Sequence, residues 1–336
     1  MSCATTYRAM ICDRLEGPDS LQLADLPRQP LQSDEVRLEV RAAGVNFPDL
    51  LVTRGLYQHK PELPFAPGLE VAGRVLEVGA GVAQWQVGQE VMAGTRFSGF
   101  AAELVVAASA VQALPGPFAV AQGACFLVAA RTAYHALVDK AGLAPGETLV
   151  VLGAGGGVGL ATVELGKLLG ARVVAVASRD EGLAAALARG ADQTINHSRQ
   201  DLRQRLLELT EGAGADVVVD PVGGPLFAVV SRTMAWDGRL LVVGFASGTI
   251  PKVGLNIPLL KQCQIIGVDW GANRRQNHAY AMAIEREAAA WVAQGRLSPA
   301  AVTSRPLAEA AAVLRRQLDR GALGKVVLTI TPSERA

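Results

Sequence analysis

The stretch VVLGAGGGVGLATVELGKLLGARVVAVAS, from Val150 to Ser178, constrains the fold more than any other part of the chain. It opens in a short apolar run, TLVVLG from Thr148, the pattern of a strand buried on both faces. Gly153, Gly155, Gly156, Gly157, Gly159 and Gly166 follow within a few residues. A helical stretch comes next, and then ARVVAVAS, a second buried strand. Strand, glycine turn, helix and strand in that order build a parallel pair with a helix crossing over it. The start of such a helix offers unpaired N–H donors and the positive end of its dipole, which suits a phosphate. Glycines let the backbone approach a pyrophosphate without Cβ clashes. The spacing is GxxGxxG at Gly153, Gly156 and Gly159, because residue 154 is alanine. Gly157 and Val158 complete the candidate cradle. A tight turn that holds no ligand is the other reading of the same residues.

The alternation continues beyond this unit. A helix is predicted over 180–190, a strand at DQTINH, a helix over 201–211, and strands at ADVVVDPVG and GRLLVVGFAS. This is the grammar of an α/β doubly wound parallel sheet. The first 115 residues read differently. DEVRLEVRAAGVN alternates polar and apolar like a half-buried strand, and VAGRVLEVGAGV and VGQEVMA are short strands split by glycine turns. After LPGPF, one helix is predicted through AVAQGACFLVAARTAYHALVDKAG to about Gly142. The tail returns to helices, HAYAMAIEREAAAWVAQG and LAEAAAVLRRQLDRG, and ends in the strand GKVVLTI. A chain of 336 residues is long for one core, so a cofactor domain inserted in a second domain is expected.

Composition excludes some partners. The charge balance of 32 basic against 31 acidic residues, net +1, gives no footprint for nucleic acid or an anionic membrane. No apolar run reaches the roughly 18 residues of a membrane helix. The N-terminus MSCATTYRAMICDRLEG lacks the apolar core of a secretory signal. The cysteines at 3, 12, 125 and 263 form no CxxC pair, as expected of free thiols in a reducing cytoplasm.

The end of the second buried strand bears on the cofactor. NAD enzymes place a carboxylate there for the ribose 2′-hydroxyl, whereas NADP enzymes offer a cation. This chain reads Ala177-Ser178-Arg179. Arg179 can fork onto a 2′-phosphate and Ser178 can donate to it, so NADP(H) is the expected cofactor. Alternatively, Arg179 pairs with Asp180 or Glu181 at the surface.

With AGVNFPDLLVTRGLY (43–57), PFAPGLEVAGRVLEVG (64–79), LGAGGGVG (152–159) and GKVVL (324–328), the chain resembles the medium-chain dehydrogenase/reductase superfamily, and within it the zinc-independent quinone oxidoreductases related to zeta-crystallin. The resemblance spans nearly the whole chain. It implies a GroES-like β-rich catalytic domain over 1–124 and 267–336, a Rossmann cofactor domain over 125–266, and catalysis in the cleft between them. It also implies a homodimer joined through cofactor-domain edge strands near RLLVVGF and CQIIGVDW. Zinc-dependent relatives carry a cysteine at the place of Asn46 and a histidine at the place of Leu69, and a four-cysteine lobe where VGQEVMAGTRFSGFAAE has none. Neither replacement is a good zinc ligand, so no metal site is expected. Glu70 is then expected to be structural, with an arginine as its candidate partner.

Without a metal the feasible chemistry is hydride transfer from NADPH to an acceptor activated by conjugation, a quinone or an α,β-unsaturated carbonyl. A hydrogen-bond donor near the carbonyl would stabilise the developing charge. Tyr57 is the candidate, because related enoyl-thioester reductases carry a tyrosine at matching spacing and a phenol stays protonated at neutral pH. Its alternative is packing alone. Asn46 resembles the family asparagine near the nicotinamide and substrate. It could hold the carboxamide, bond the acceptor, or make only an Asx turn before Pro48. Asp49 is expected to cap the helix at PDLLVTRG.

The resemblance carries over further cofactor contacts. They are Thr132 near the nicotinamide, Gly244-Phe245-Ala246 passing it, Arg320 near the cofactor, and His197 where relatives have a tyrosine beside the 2′-phosphate. Gly182 stands where some relatives use a lysine. His59, His135 and His278 show no ligand spacing.

An NADPH-dependent enoyl- or acryloyl-thioester reductase shares this fold and hydride step. GANRRQNH (271–278) is the only local cationic cluster for a coenzyme A nucleotide, and a solvated loop is its plainer reading. A non-catalytic NADPH sensor is the reading from another class.

Overall fold

The computed structural model describes residues 6–298, 301–318 and 324–331. Its N-terminal part is rich in strands: β1 (Thr6–Cys12), β2 (Leu21–Pro27), β3 (Glu35–Val45), β4 (Glu70–Val78), β5 (Glu90–Gly94), β6 (Glu103–Ala107) and β7 (Val111–Ala113). Strands then alternate with helices: β8 (Thr148–Leu152), β9 (Arg172–Ala177), β10 (Gln193–Asn196), β11 (Ala215–Asp220), β12 (Met234–Val242) and β13 (Gln264–Gly267). The last two strands are β14 (Val302–Pro306) and β15 (Lys325–Thr329). The chain divides into two compact units, one running to Val128 and resuming at Ser298, the other Ala129–Leu297.

The first unit holds a sheet in the order β14-β15-β3-β4-β5-β7, with β6 also paired to β3. All its pairings are antiparallel except β14 with β15. The β1–β2 hairpin bridges to the sheet through Ala9 with Ala101 and Cys12 with Phe65. Val36, Leu38, Val40, Val71, Val75, Phe100, Leu104 and Leu328 share one core. Burying each of the larger ones contributes about 1.5–3 kcal/mol.

Strand β3 departs from the expected half-burial. Its polar face is covered too: Arg37 and Glu39 are each only 4% exposed. Arg37 pairs with Glu77 at 3.1 Å and with Glu103, which also accepts from Arg28 Nε at 2.8 Å; Glu39 pairs with Arg74. Alternating polarity therefore marked a buried ionic layer rather than a wet face, since buried charges must be paired.

In the second unit the six strands are all parallel, in the order β10-β9-β8-β11-β12-β13. Successive residues of one strand point to opposite faces. Accordingly Leu149, Val151, Val173, Val217, Val219 and Leu241 pack in one core, while Val150, Leu152, Val174, Val176, Val218 and Leu240 pack in another. This double burial is why these strands read as unbroken apolar runs. The order reverses beside β8, between β9 and β11, the switch point at which open α/β sheets bind ligands.

The helix expected through 119–142 is broken into Val120–Gly123, Leu127–Tyr134 and a π-helical turn, His135–Lys140. A Cβ at residue 123 would lie 2.2 Å from Leu114 Cδ1, so the glycine there lets the first piece pack close to Leu114. The expected domain boundary at 266 also needs correction. Helices Trp270–Gln276 and His278–Ala293 stay with the second unit, which runs to Leu297. Arg131 and Glu285, 3% and 1% exposed, form an ion pair at 2.7 Å; Tyr134 donates to Glu287 at 2.7 Å and packs on Trp291. GANRRQNH is mostly helix rather than loop, capped by Asp269 accepting from Ala272 N–H at 2.9 Å. The side chains of Arg274, Arg275 and His278 lie outside the described residues.

Candidate functional site

The glycine loop leaves β8 at its carboxyl end and enters the helix Gly157–Leu168. Gly153 has φ +60°, the left-handed region that favours glycine, and its N-terminal neighbour Leu152 is fully buried. A Cβ at Gly155 would lie 2.7 Å from Gly182 Cα, and one at Gly159 would lie 2.3 Å from the Gly153 carbonyl. The loop is therefore folded tightly on itself and on the start of the helix Asp180–Ala188. That contact also explains why residue 182 is glycine. Ala154 spends its N–H on Val176 O at 3.1 Å, whereas Gly156 is exposed as the helix N-cap with no side-chain cap. The N–H groups of Gly157, Val158 and Gly159 start the helix and have no intrahelical acceptor.

The neighbouring strand ends gather the residues expected at the nucleotide's far end. Ser178 and Arg179 follow β9; His197 follows β10 and donates its N–H to Ala177 O at 3.1 Å. Burial lowers the His197 pKa from the ordinary histidine value and favours the neutral ring. Asp180 takes Arg199 as a partner at 2.7 Å, with Asn196 Nδ2 donating to its other oxygen at 2.5 Å. Arg199 thus joins this corner, and sequence reading missed it because its place depends on how β10 lies beside β9. Gly244-Phe245-Ala246 follows β12 and is pinned to the end of β11: Gly244 N–H donates to Asp220 O at 3.3 Å and Ala246 N–H to Pro221 O at 3.1 Å. Asp220 was also missed. It is fully buried, its Oδ1 accepts from Val222 and Gly223 N–H at 2.7 and 2.8 Å, and burial raises its pKa. Thr132 is half-buried on the helix Leu127–Tyr134 of the same unit. Arg320 lies outside the described residues.

The first unit carries a second cluster. Asn46 stands between the end of β3 and the helix Phe47–Thr53. Asp49 helps to start that helix, as expected of a cap: Oδ2 accepts from Asn46 N–H at 2.7 Å, and Oδ1 accepts from Gly68 N–H at 3.0 Å. Burial, against those bonds, pushes the Asp49 carboxyl up to about 7. Asn46 makes neither a plain Asx turn nor a free site. Its Nδ2 donates to Glu70 Oε1 at 2.9 Å, and its Oδ1 accepts from Lys325 Nζ at 2.7 Å. Glu70 is structural, but its partner is Lys325, at 2.9 Å, not an arginine; Val128 N–H donates to its other oxygen at 2.9 Å. Burial, the largest single influence, would lower the Lys325 pKa; Glu70, Cys125 and Asp49 together outweigh it and hold the ammonium above the usual lysine value. Tyr57 lies beyond the helix, half-buried against the apolar core, with its ring edge-on to His59 at 5.9 Å. Leu69 is half-buried. Among the described residues no group of three His, Cys, Asp or Glu side chains could hold a metal ion, and no helix is long and apolar enough to cross a membrane.

A GroES-like sheet in one unit and a doubly wound parallel sheet with a glycine loop in the other define the architecture of a medium-chain dehydrogenase/reductase. The chain matches the Alcohol dehydrogenase GroES-like domain over residues 32–124 and the Zinc-binding dehydrogenase family over residues 157–286. It is 35% identical to Quinone oxidoreductase-like protein 2 of Bos taurus over 98% of this chain and 94% of that one. It is 30% identical to the Quinone oxidoreductase of Homo sapiens over 96% and 98%. The solved Escherichia coli quinone oxidoreductase complexed with NADPH superposes with a TM-score of 0.88 at 26% identity, covering 96% of this chain and 99% of that one. The chain belongs to the quinone oxidoreductase family of medium-chain dehydrogenases/reductases, and is an oxidoreductase.

Proposed function

We propose that the protein is an NADPH-dependent quinone reductase, passing hydride to a quinone or another conjugated carbonyl without a metal. The observation that carries the cofactor choice is the corner at the ends of β9 and β10. It offers Ser178, Arg179, His197 and Arg199 to a 2′-phosphate, and Asp180 beside them is hydrogen-bonded by Arg199 and Asn196. The crowded glycine loop fits a pyrophosphate, because its helix end is glycine-rich and no side chain caps the N–H groups there. In this reading Gly153, Gly156, Gly157, Val158 and Gly159 hold the phosphates. Thr132 and Gly244-Phe245-Ala246 serve the nicotinamide end, and Arg320 is a further contact. When bound, the nicotinamide supplies the hydride.

The protein's own task is to orient and to manage charge. Tyr57 donates a hydrogen bond, and then a proton, to the oxygen on which negative charge develops. Asn46 and Leu69, at the family's zinc-ligand positions, give no pair of good zinc ligands. The E. coli relative's complex with NADPH supports the cofactor, and the relatives' names support the acceptor class.

We place the homodimer contact on the edge strand β13. Ile265 there, and Leu255, Leu259 and Leu260 on and before the adjoining helix Asn256–Lys261, are exposed by 37% to 80%. An unpaired edge beside an apolar patch is a natural pairing surface. Light scattering in solution tests it: a monomer at micromolar concentration removes this part of the reading. We place the protein in the cytoplasm on its buried thiols Cys12, Cys125 and Cys263, none of which is in a disulfide.

The decisive experiment follows oxidation of NADPH and of NADH with a benzoquinone, an ortho-quinone, an alkenal and crotonyl-CoA, with and without a chelator. Quinone turnover with NADPH, little with NADH and no chelator effect is expected. Turnover of the thioester alone would make it an enoyl reductase, and tight NADPH binding without turnover would make it a sensor. A chelator-sensitive rate would overturn the metal-free mechanism.

A further inference from the structure

A carboxamide has four hydrogen-bonding positions, two N–H donors and two lone pairs. Three of those on Asn46 are used inside the first unit. Nδ2 donates to Glu70 Oε1 at 2.9 Å and to the Gly44 carbonyl at 3.4 Å, and Oδ1 accepts from Lys325 Nζ at 2.7 Å. Asn46 is 8% exposed, and no side-chain cap hydrogen bond reaches its carboxamide from the helix it starts, whose Asp49 N–H donates to the Asn46 backbone carbonyl instead. One lone pair of Oδ1 remains.

The neighbours also decide which way the amide faces. Turned over, it would set its NH2 against the Lys325 ammonium, donor against donor, and its oxygen against the Glu70 carboxylate, acceptor against acceptor. Both neighbours are buried, at 5% and 0% exposure, where such mismatches are costly. Neither can swing away freely. Lys325 Nζ is also held by Glu70 Oε1 at 2.9 Å, and Glu70 Oε2 by the backbone N–H of Val128. A backbone amide thus anchors a carboxylate, which anchors an ammonium, and the two together orient the carboxamide.

We propose that Lys325 is a positioning residue that fixes Asn46 as a hydrogen-bond acceptor toward its ligand. The ligand group must then be a neutral N–H or O–H donor. The carboxamide of a nicotinamide and the hydroxyl of a reduced acceptor both have that chemistry; an oxyanion does not. Charge developing on an acceptor oxygen is accordingly left to another group. This inference rests on the hydride-transfer reading for the identity of the ligand, but the amide's orientation does not depend on it.

The test compares Lys325→Met, Lys325→Gln and the double variant E70Q/K325M, the last removing the orphaned carboxylate in case the single variant does not fold. Without any ligand, the side-chain 15N–1H2 pair of Asn46, assigned with Asn46→Asp, reports its hydrogen bonds. The wild-type shifts of that pair are expected to persist in K325Q, which keeps a donor to Oδ1, and to move in K325M and in the double variant. With NADPH and a quinone, kcat/KM should fall about tenfold in both methionine variants, the size of one good hydrogen bond, and recover in K325Q. Repeating this with the 3-acetylpyridine analogue of NADPH, whose ketone has no N–H, identifies the donor. If the variants then match the wild type, the cofactor carboxamide is the donor; if the tenfold gap persists, the acceptor is. An unchanged Asn46 signal in a folded methionine variant, or K325Q as impaired as K325M, would overturn the proposal. A wild type inert toward every acceptor would instead sink the hydride-transfer reading, and the amide signal would still decide the role of Lys325.

Discussion

The two clusters are built on opposite plans. In the glycine loop the working groups are backbone N–H donors, and side chains matter by their absence: a Cβ at 155 or 159 would press into backbone at 2.7 or 2.3 Å. In the Asn46 cluster the working groups are side chains: those of residues 46, 70 and 325 hold one another, and that of Asp49 is tied to the backbone N–H of Asn46. The loop is made by contiguous residues and is stiffened by packing. The cluster is made by chain ends meeting in a sheet and is stiffened by charge. Each should therefore fail in its own way.

The largest effect is expected from Glu70→Ala. It leaves the Lys325 ammonium buried with no counter-ion, and removing one partner of a buried pair costs about 3–5 kcal/mol. Thermal unfolding should show it as a marked drop in Tm, and E70A/K325M should regain much of the loss. If the single variant melts like the wild type, the cluster is not charge-stiffened and the contrast with the loop dissolves.

Gly159→Ala probes the other plan. The added Cβ must displace backbone at Gly153 and Ala154, and overpacking of this kind costs about 1–3 kcal/mol. Calorimetric NADPH binding should be lost along with part of the stability, because the loop that moves is the loop that binds. Stability falling while NADPH affinity stays intact would separate the loop from the cofactor.

The same contrast explains what was legible in the sequence. Everything in the second unit that depends on neighbours in sequence could be read: the apolar runs of β8 and β9, the glycine spacing, and the strand ends at Ser178 and Gly244. What depends on neighbours in space could not. Arg199 reaches Asp180 only because β10 lies beside β9. Glu70 was expected to find an arginine, yet Lys325 arrives through the pairing of β15 with β3, some 255 residues away in the chain. Alternating polarity in β3 was taken for a wet face, because a sequence does not say that Arg28, Arg74, Glu77 and Glu103 will close over it. The helix His278–Ala293 shows the same limit: its place in the second unit rests on Glu285 and Glu287 meeting Arg131 and Tyr134.

A smaller effect is expected at the nucleotide corner. Arg179→Ala and Arg199→Ala should each weaken NADPH about tenfold or less, as loss of one exposed charge-assisted contact does, and leave NADH unchanged. The loss should shrink in high salt. Fluorescence titration with both cofactors checks it. Equal losses for NADPH and NADH would mean that the corner does not read the 2′-phosphate.

The smallest expected signal is a slope. Asp49 has its carboxyl raised from 3.8 to about 7, chiefly by burial. A carboxyl raised on folding binds its proton more tightly in the folded chain. Its contribution to stability is full below the unfolded pKa and is lost as pH climbs through the folded value. Between about pH 4 and pH 7 Asp49 alone should therefore make Tm decline, against the usual trend of paired carboxylates. Asp49→Asn is expected to lower Tm, because an amide cannot accept both backbone N–H bonds; the prediction concerns only the gradient. Tm profiles of the two proteins should converge toward pH 8, with the wild type gaining on the variant as the pH is lowered. Parallel profiles would mean that Asp49 stays ionised throughout. Its two backbone bonds and Lys325 would then outweigh burial, and the first unit's cluster would carry one more fixed charge than its geometry implies.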